Sequence, residues 1–402
     1  MTIILKENQK QTLELTEEDI SFLSNGPIES KFKIRRLVGG LGFEVTALNT
    51  VGALTLPSGK SLIIKSKLPL PNIFRMLSYV GELYKPLDND VQYERDEELF
   101  DIIGSIFSQE MGRILRFGLK QNYFPQAESL RTIRGRIDFT QSIRSSESDR
   151  LFCRYSKLSL NTPLNRAMVK AAEVLLRSQA IKSETKKRVR SYLSHIPLDL
   201  VGRDFASSEF KKITLDRSTH YYQRIMFLSR LIIANAAYKD EAGENRFAGF
   251  LLDVSLLFEK YVSKALETEN GKWELRVLSQ NSTKLDVEKE LTCRPDLTFV
   301  GPNGTCYIAD TKYKDFSDLR FINEDVYQMV TYLLHHRCNE GFLVYPAFDP
   351  KRVGVVKTTH IPNGQGNFVI HGLCISLESP EEIIKQISPF LINGYKNGET
   401  SA

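Results

Sequence analysis

The feature that most constrains this chain is a strand–turn–strand signature, with Pro-Asp on one arm and Asp-x-Lys on the other. The outgoing arm is Leu291-Thr292-Cys293-Arg294-Pro295-Asp296-Leu297-Thr298-Phe299-Val300. It meets Gly301-Pro302-Asn303-Gly304, and Thr305-Cys306-Tyr307-Ile308-Ala309-Asp310-Thr311-Lys312 returns. β-Branched and aromatic runs on either side of a Gly/Pro/Asn cluster predict a β-hairpin. With Gly301–Gly304 as the loop, Val300 faces Thr305 and Asp296 faces Ala309. Asp296 and Asp310 then lie close across the hairpin. Asp310 and Lys312 are two residues apart, so they project from one face.

Two carboxylates that close repel each other unless a cation sits between them. Hard oxygen ligands of this kind suit Mg²⁺, with Mn²⁺ as the alternative. A lysine beside them can hold a water nucleophile or offset charge on a phosphorane-like transition state. Asp296, Asp310 and Lys312 are therefore the candidate catalytic residues, and the first two are candidate metal ligands. Metal-assisted phosphodiester hydrolysis needs this set.

The flanks add to the pattern. A helix is predicted over Leu252–Glu267, where Glu259 shares a face with Leu256, Val262 and Leu266. A carboxylate beside an apolar stripe costs several kcal/mol to bury unless it is paired or metal-bound. Glu259 is thus either a third metal ligand or a residue that flanks the stripe and reaches water. Downstream, Glu324–His336 reads as a helix with Gln328 and Tyr332 on one face, in supporting positions. His335 and His336, adjacent on that helix, should diverge and are read as structural. Gly341–Pro346 is a short apolar run consistent with a core strand. Helix, hairpin, helix and strand in this order predict an α/β arrangement around a mixed sheet.

The rest of the 402 residues suits one or two further domains. Residues 1–80 look β-rich, with short runs such as Lys31–Val38, Glu44–Asn49 and Ser61–Lys65 between turns. Residues 72–120 look largely helical, with an acidic stretch at Glu94–Glu98. From Tyr123 to Arg154 the pattern is broken and basic; a boundary is placed near residue 155. Arg131, Arg134 and Arg136 there either contact DNA or a partner, or form a solvated loop. Lys314, on the strand face of Lys312, either touches phosphate or is solvated. Leu164–Ser178 is an amphipathic helix opened by Asn161-Thr162-Pro163, and another helix is predicted over Tyr221–Tyr238. Lys186–Arg190 reads as an exposed helix face and Trp273 as core.

A net charge of +5 permits nucleic-acid binding without establishing it. Five widely spaced cysteines with no CxxC pair make a disulfide framework and a structural zinc site unexpected, and point to a reducing cytoplasm. There is no apolar run of about 18 residues and no visible secretory signal, so no membrane partner is expected.

Pro295-Asp296, Asp310-x-Lys312 and Gln328-x-x-x-Tyr332 together resemble the PD-(D/E)xK nuclease superfamily, in its RecB-like branch. Most of the chain resembles one family within it, McrC, the nuclease subunit of the McrBC modification-dependent restriction system. That likeness rests on Thr50-Val51-Gly52-Ala53-Leu54-Thr55-Leu56-Pro57-Ser58-Gly59, Leu62-Ile63-Ile64-Lys65-Ser66-Lys67 and Met76-Leu77-Ser78-Tyr79. It continues through Arg134-Gly135-Arg136-Ile137-Asp138, Asn161-Thr162-Pro163-Leu164-Asn165-Arg166, Arg294-Pro295-Asp296-Leu297 and Ile308-Ala309-Asp310-Thr311-Lys312-Tyr313-Lys314. The family usually has Pro-Lys near Ser66-Lys67, where this chain has Ser.

The resemblance implies an N-terminal β-rich, α+β domain (1–155) that docks on a partner. It implies a C-terminal part (156–402), with a helical segment (160–245) and an α/β nuclease core (250–402) whose mixed sheet is flanked by helices. It implies double-stranded DNA as substrate and a hexameric AAA+ GTPase of the McrB type as partner. That partner would recognise methylated sites and supply all GTP chemistry. The chain agrees on one point: its nearest approach to a Walker A motif, Gly52-x6-Gly59-Lys60-Ser61, has the wrong spacing and β-like residues after it. Competing readings are a standalone repair or recombination nuclease and a non-catalytic GTPase-activating scaffold.

Overall fold

The computed structural model describes residues 2–37, 42–81, 99–144, 149–197, 200, 205–241, 244–268, 275–301, 304–316, 318–364 and 366–398. Glu94–Glu98 and Trp273 lie outside the described residues. The chain opens with β1 (Thr2–Lys6), β2 (Lys10–Leu13), α1 (Glu17–Ser24), β3 (Phe32–Arg36), β4 (Phe43–Ala47), β5 (Thr50–Thr55), β6 (Ser61–Lys65) and α2 (Leu70–Val80). The middle holds α3 (Leu99–Phe117), β7 (Asn122–Leu130), β8 (Arg136–Ile137), α4 (Phe139–Arg144), β9 (Leu151–Ser159), α5 (Pro163–Arg177), α6 (Ser183–Leu193), α7 (Gln223–Ala234), β10 (Ala236–Glu241) and β11 (Glu244–Asp253). The last stretch has α8 (Val254–Thr268), β12 (Arg276–Ser279), β13 (Thr283–Lys284), β14 (Thr292–Cys293), β15 (Leu297–Val300) and β16 (Cys306–Thr311). It ends with α9 (Asn323–His336), β17 (Glu340–Pro346), β18 (Val356–Pro362), β19 (Asn367–Ile375) and α10 (Pro380–Gly398).

Contacts divide the chain into two compact units. One joins residues 1–52 and 56–92 with 252–402; the other holds 53–55 and 93–251. The boundary read near residue 155 falls inside the second unit.

In the first unit, β1 pairs in parallel with β6, and β2, β4 and β3 form an antiparallel sheet. Thr16 closes a capping box with Asp19, which fixes the start of α1. Gly59 takes a φ of +79°, which lets the chain turn tightly into β6. The Gly59-Lys60-Ser61 run therefore opens a strand where a phosphate-binding loop would open a helix.

The same unit carries a six-stranded mixed sheet in the order β12-β15-β16-β17-β19-β18. β16, β17 and β19 run parallel; the other neighbours are antiparallel. Strands buried on both faces read as continuous apolar runs, as Gly341–Pro346 does. Helix α9 packs Met329 and Leu333 against Ile308, Leu343 and Ile370. Its approach to β17 needs a glycine: a Cβ at Gly341 would sit 2.5 Å from Met329 Sδ. Helix α8 buries Phe258, Tyr261, Val262 and Leu266, while Leu256 is exposed, so the apolar stripe read from the sequence is only partly the packed face.

The hairpin register differs by one residue from the expected one. Val300 pairs with Cys306 and Leu297 with Ala309. The Gly301 N–H donates to the Thr305 carbonyl at 2.8 Å, and Gly304 adopts φ +78°. The left-handed glycine closes the turn on Gly301 and Thr305, one residue further along than Val300 and Thr305. Continued one step, this register sets Asp296 beside Asp310, not Ala309. Residues directly opposite share a face, so both carboxylates meet on one side of the sheet.

The second unit is built on α3, α5, α6 and α7. Thr162 caps α5 by accepting from the Asn165 N–H at 3.3 Å, with Pro163 in the first turn. Tyr123–Arg154, read as irregular, is instead largely the three-stranded sheet β7-β9-β8. Its strands are mostly exposed on both faces, so no apolar alternation marks them. The helix predicted over Tyr221–Tyr238 stops at Ala234, and β10 follows.

Cys306 and Cys338 form a disulfide with Cα atoms 5.0 Å apart, a single pairing that the cysteine spacing did not lead one to expect. β16 and the loop after α9 bring the two together, a proximity their separation of 32 residues hides. Among the described residues, no helix is long and apolar enough to cross a membrane.

Candidate active site

The site lies at the end of β15 and β16, in the first unit. The bend at Arg294-Pro295 separates β14 from β15 and places Asp296 at the head of β15. Asp296 Oδ2 accepts from the Thr311 N–H at 2.7 Å and from Thr311 Oγ1 at 2.6 Å. One carboxylate oxygen is thus fixed by the neighbouring strand, which orients the other.

Asp310 sits one residue before the end of β16 and is buried. The Lys312 ammonium lies 2.5 Å from its Oδ2 and forms an ion pair with it. Burial raises the Asp310 carboxyl well above the usual range, and the Asp296 charge raises it further; Lys312 pulls the other way. One lysine therefore does not compensate the site's negative charge.

Lys312 is held from the helix side. Its Nζ donates to Gln328 Oε1 at 2.7 Å and lies 3.7 Å from Asp325 Oδ1. Gln328 Nε2 reaches the Tyr332 hydroxyl at 2.6 Å, and Tyr332 donates to the Arg294 carbonyl at 3.2 Å. The i, i+4 pair thus bridges the lysine to the residue preceding Pro295. Burial, then the Asp310 charge, pushes the Tyr332 phenol up to about 12, so it stays a donor.

Glu259 on α8 is partly buried. Its Oε1 accepts from Gln280 Nε2 at 2.5 Å, and Gln280 Oε1 accepts in turn from Arg294. Burial raises the Glu259 carboxyl, and Asp296 is the next cause. Asp296 thus acts on both Asp310 and Glu259, which marks three carboxylates in one field. Asp296, Asp310 and Glu259 are the carboxylates that could hold a hard divalent cation, with the Lys312 ammonium beside Asp310.

Arg131, Arg134 and Arg136 belong to the second unit. Arg131 pairs with Asp149 at 3.1 Å, the Arg134 guanidinium lies 5.9 Å from the Tyr155 ring centroid, and Arg136 pairs in register with Arg154. All three arginines are exposed. Lys314 is in the first unit, past the end of β16; its N–H turns back to the Lys312 carbonyl at 2.8 Å, and its ammonium approaches the same Asp325 oxygen as that of Lys312. Its ammonium binds both oxygens of Asp325, at 2.9 and 3.0 Å.

Three partners escaped the sequence reading. Thr311 lay in view between Asp310 and Lys312. Asp325 was signalled only as an acidic residue in the first turn of α9. Gln280 had no signal: it takes φ +46° after β12 and donates its N–H to the Asp296 carbonyl at 2.8 Å. His335 and His336, expected to diverge, place ring nitrogens with Cys293 Sγ in one group whose atoms lie within 4.8 Å of one another. The C-terminal turn of α9 faces β13 and β14, so both rings reach the same side.

Comparisons with known proteins agree with one another. A family model described as "McrBC 5-methylcytosine restriction system component" matches residues 45–346. The "Type IV methyl-directed restriction enzyme EcoKMcrBC" of Escherichia coli (strain K12) is 23% identical over 310 residues, covering 70% of this chain and 87% of that protein. The fold is similar to a chain in a solved half-complex of Thermococcus gammatolerans McrB AAA+ hexamers with bound McrC. There the TM-score is 0.68 at 13% identity, over 97% of this chain and 100% of that one.

Proposed function

This chain belongs to the McrBC 5-methylcytosine restriction system component family, and on that premise we propose that it is the Mg²⁺-dependent DNA endonuclease subunit of such a complex. The observation that carries the reading is the register that sets Asp296 beside Asp310, with Lys312 at 2.5 Å. The similar fold was solved bound to McrB AAA+ hexamers. By analogy, the partner here is a hexameric AAA+ GTPase of the McrB type, which binds and hydrolyses GTP. The core is read as a PD-(D/E)xK nuclease fold, with Mn²⁺ as a substitute metal.

Asp296, Asp310 and Glu259 would hold the metal. Bound there, a divalent cation would polarise the scissile phosphate and lower the pKa of a water. The chain's own residues do the rest. Thr311 keeps Asp296 in one orientation. Lys312, steadied by Gln328, offers a positive charge to the pentavalent phosphate and can orient the attacking water. Tyr332 fixes Gln328 and the Arg294 carbonyl. The exposed Arg131, Arg134 and Arg136 are read as contacts to DNA phosphates or to the partner ring.

The test uses the purified full-length chain with its AAA+ partner, GTP, Mg²⁺ and methylated DNA. Asp296→Ala and Lys312→Ala should each abolish cleavage while GTP turnover by the complex stays stimulated. A double variant that still cuts would remove the site assignment. Cutting without partner or GTP would favour a standalone nuclease, and stimulation without cutting in the wild type would favour a scaffold.

A further inference from the structure

A second cluster of metal-binding side chains stands apart from the carboxylates. Cys293 ends β14; His335 and His336 close α9. Their ligand atoms lie within 4.8 Å of one another, and Cys293 Sγ is 3.8 Å from His336 Nε2. A tetrahedral zinc ion with bonds of about 2.3 Å to sulfur and about 2.0 Å to nitrogen needs roughly 3.5–3.6 Å between those atoms. The observed separation is within a few tenths of an ångström of that.

The surroundings suit an ion. Cys293 is 2% exposed, and both histidines are only partly exposed. Thr283 Oγ1 lies 2.9 Å from His335 Nε2, so that ring is held against β13. Thr283 also pairs with Cys293 in the β13–β14 ladder, which brings His335 and the Cys293 thiol to the same strand pair.

We infer that Cys293, His335 and His336 form a soft-metal site of the zinc class, with a fourth position open to water. One thiolate and two imidazoles select Zn²⁺ or Co²⁺ over the hard ions that suit the carboxylates. Binding replaces the thiol S–H bond by a metal–sulfur bond and releases that proton to solvent. The ion would clamp β14 to the end of α9. It would thereby hold Arg294, next after Cys293, at a set distance from Tyr332 on the same helix. The role is one of positioning, and it stands whether or not the carboxylate site cleaves DNA.

The test is Co²⁺ titration of the chelator-treated full chain, read by absorption. The expected result is one cobalt per chain that shows a thiolate-to-cobalt charge-transfer band and four-coordinate visible bands. Cys293→Ser should abolish the charge-transfer band although the free Cys153 and Cys374 and the disulfide-bonded Cys306 and Cys338 remain. His336→Gln should weaken Co²⁺ binding by more than the roughly 10–100-fold typical of losing an outer-sphere partner. Asp310→Asn should leave the band unchanged, because oxygen ligands give none. Zn²⁺ should raise the melting temperature of the wild type and not of Cys293→Ser. Should Cys293→Ser fail to fold, the double variant His335→Gln/His336→Gln reads the same band. No charge-transfer band in the wild type, or a band that survives in Cys293→Ser, overturns the site.

Discussion

Asp310 is buried, faces Asp296 across the strand pair and has the Lys312 ammonium 2.5 Å from one oxygen. Burial, then the Asp296 charge, outweigh the Lys312 ammonium and raise the Asp310 carboxyl to about 6, so the charged form is disfavoured without a metal. Asp310→Asn should therefore stabilise the metal-free protein at pH 7 by on the order of 1–3 kcal/mol while abolishing cleavage. Paired melting and cleavage assays check this; a variant that melts lower without metal would contradict it. Thr311 offers a finer probe. Thr311→Val removes the 2.6 Å hydroxyl bond to Asp296 and Thr311→Ser keeps it. Cleavage should fall about tenfold or more in the first, from one lost charge-assisted bond of roughly 1.5–3 kcal/mol, and hold in the second. Equal rates in the two would mean that the hydroxyl does not orient Asp296. Asp296, Asp310, Lys312, Gln328 and Tyr332 were legible because their spacings are local to one hairpin and one helix. Gln280, Asp325 and the convergence of Cys293 with two adjacent histidines were not, because each depends on which elements pack together.

Elements β15 and β16 set the face on which the carboxylates meet, and the sequence pattern left their register one residue off. A glycine in the left-handed region decided it. The solvated strands β7, β8 and β9 escaped for a different reason: with both faces wet, no periodicity records them. At the other end of the site, β1 runs into Glu7, whose Oε2 accepts from the Lys67 N–H at 3.1 Å and from the Tyr313 hydroxyl at 3.3 Å. Tyr313 follows Lys312 directly, so this buried carboxyl ties β1 to the segment just past the end of β16. Burial pushes Glu7 up to about 7 from an ordinary 4.5. The folded state therefore holds this proton more tightly than the unfolded one. Stability is full below about pH 4.5 and falls as pH rises toward 7, by roughly 2–3 kcal/mol in all. Glu7→Gln should melt like the wild type at pH 4.5 and above it at pH 8. Parallel pH dependence in the two proteins would sink this account.

At the scale of the whole chain, the family resemblance was carried by motifs spread over both compact units, and the family model spans residues 45–346. The division into units was less legible, because segments distant in sequence cluster together in the first unit. If Arg131, Arg134 and Arg136 serve the complex, replacing all three with Ala should leave the melting temperature within about 1 °C, since exposed charges contribute little to stability. It should weaken DNA binding or partner stimulation, with a shallower dependence on salt. Unchanged binding, stimulation and salt slope would assign these arginines to the solvated surface.

The most direct test follows GTP turnover and DNA cleavage in one reaction, with Mg²⁺ and the AAA+ partner, for the wild type and Lys312→Ala. Lys312→Ala should lower cleavage by at least about 10²-fold, the scale of losing one charge-stabilising group, while GTP turnover stays at the wild-type rate. Wild-type cleavage by Lys312→Ala would contradict the assignment of this hairpin as the nuclease site.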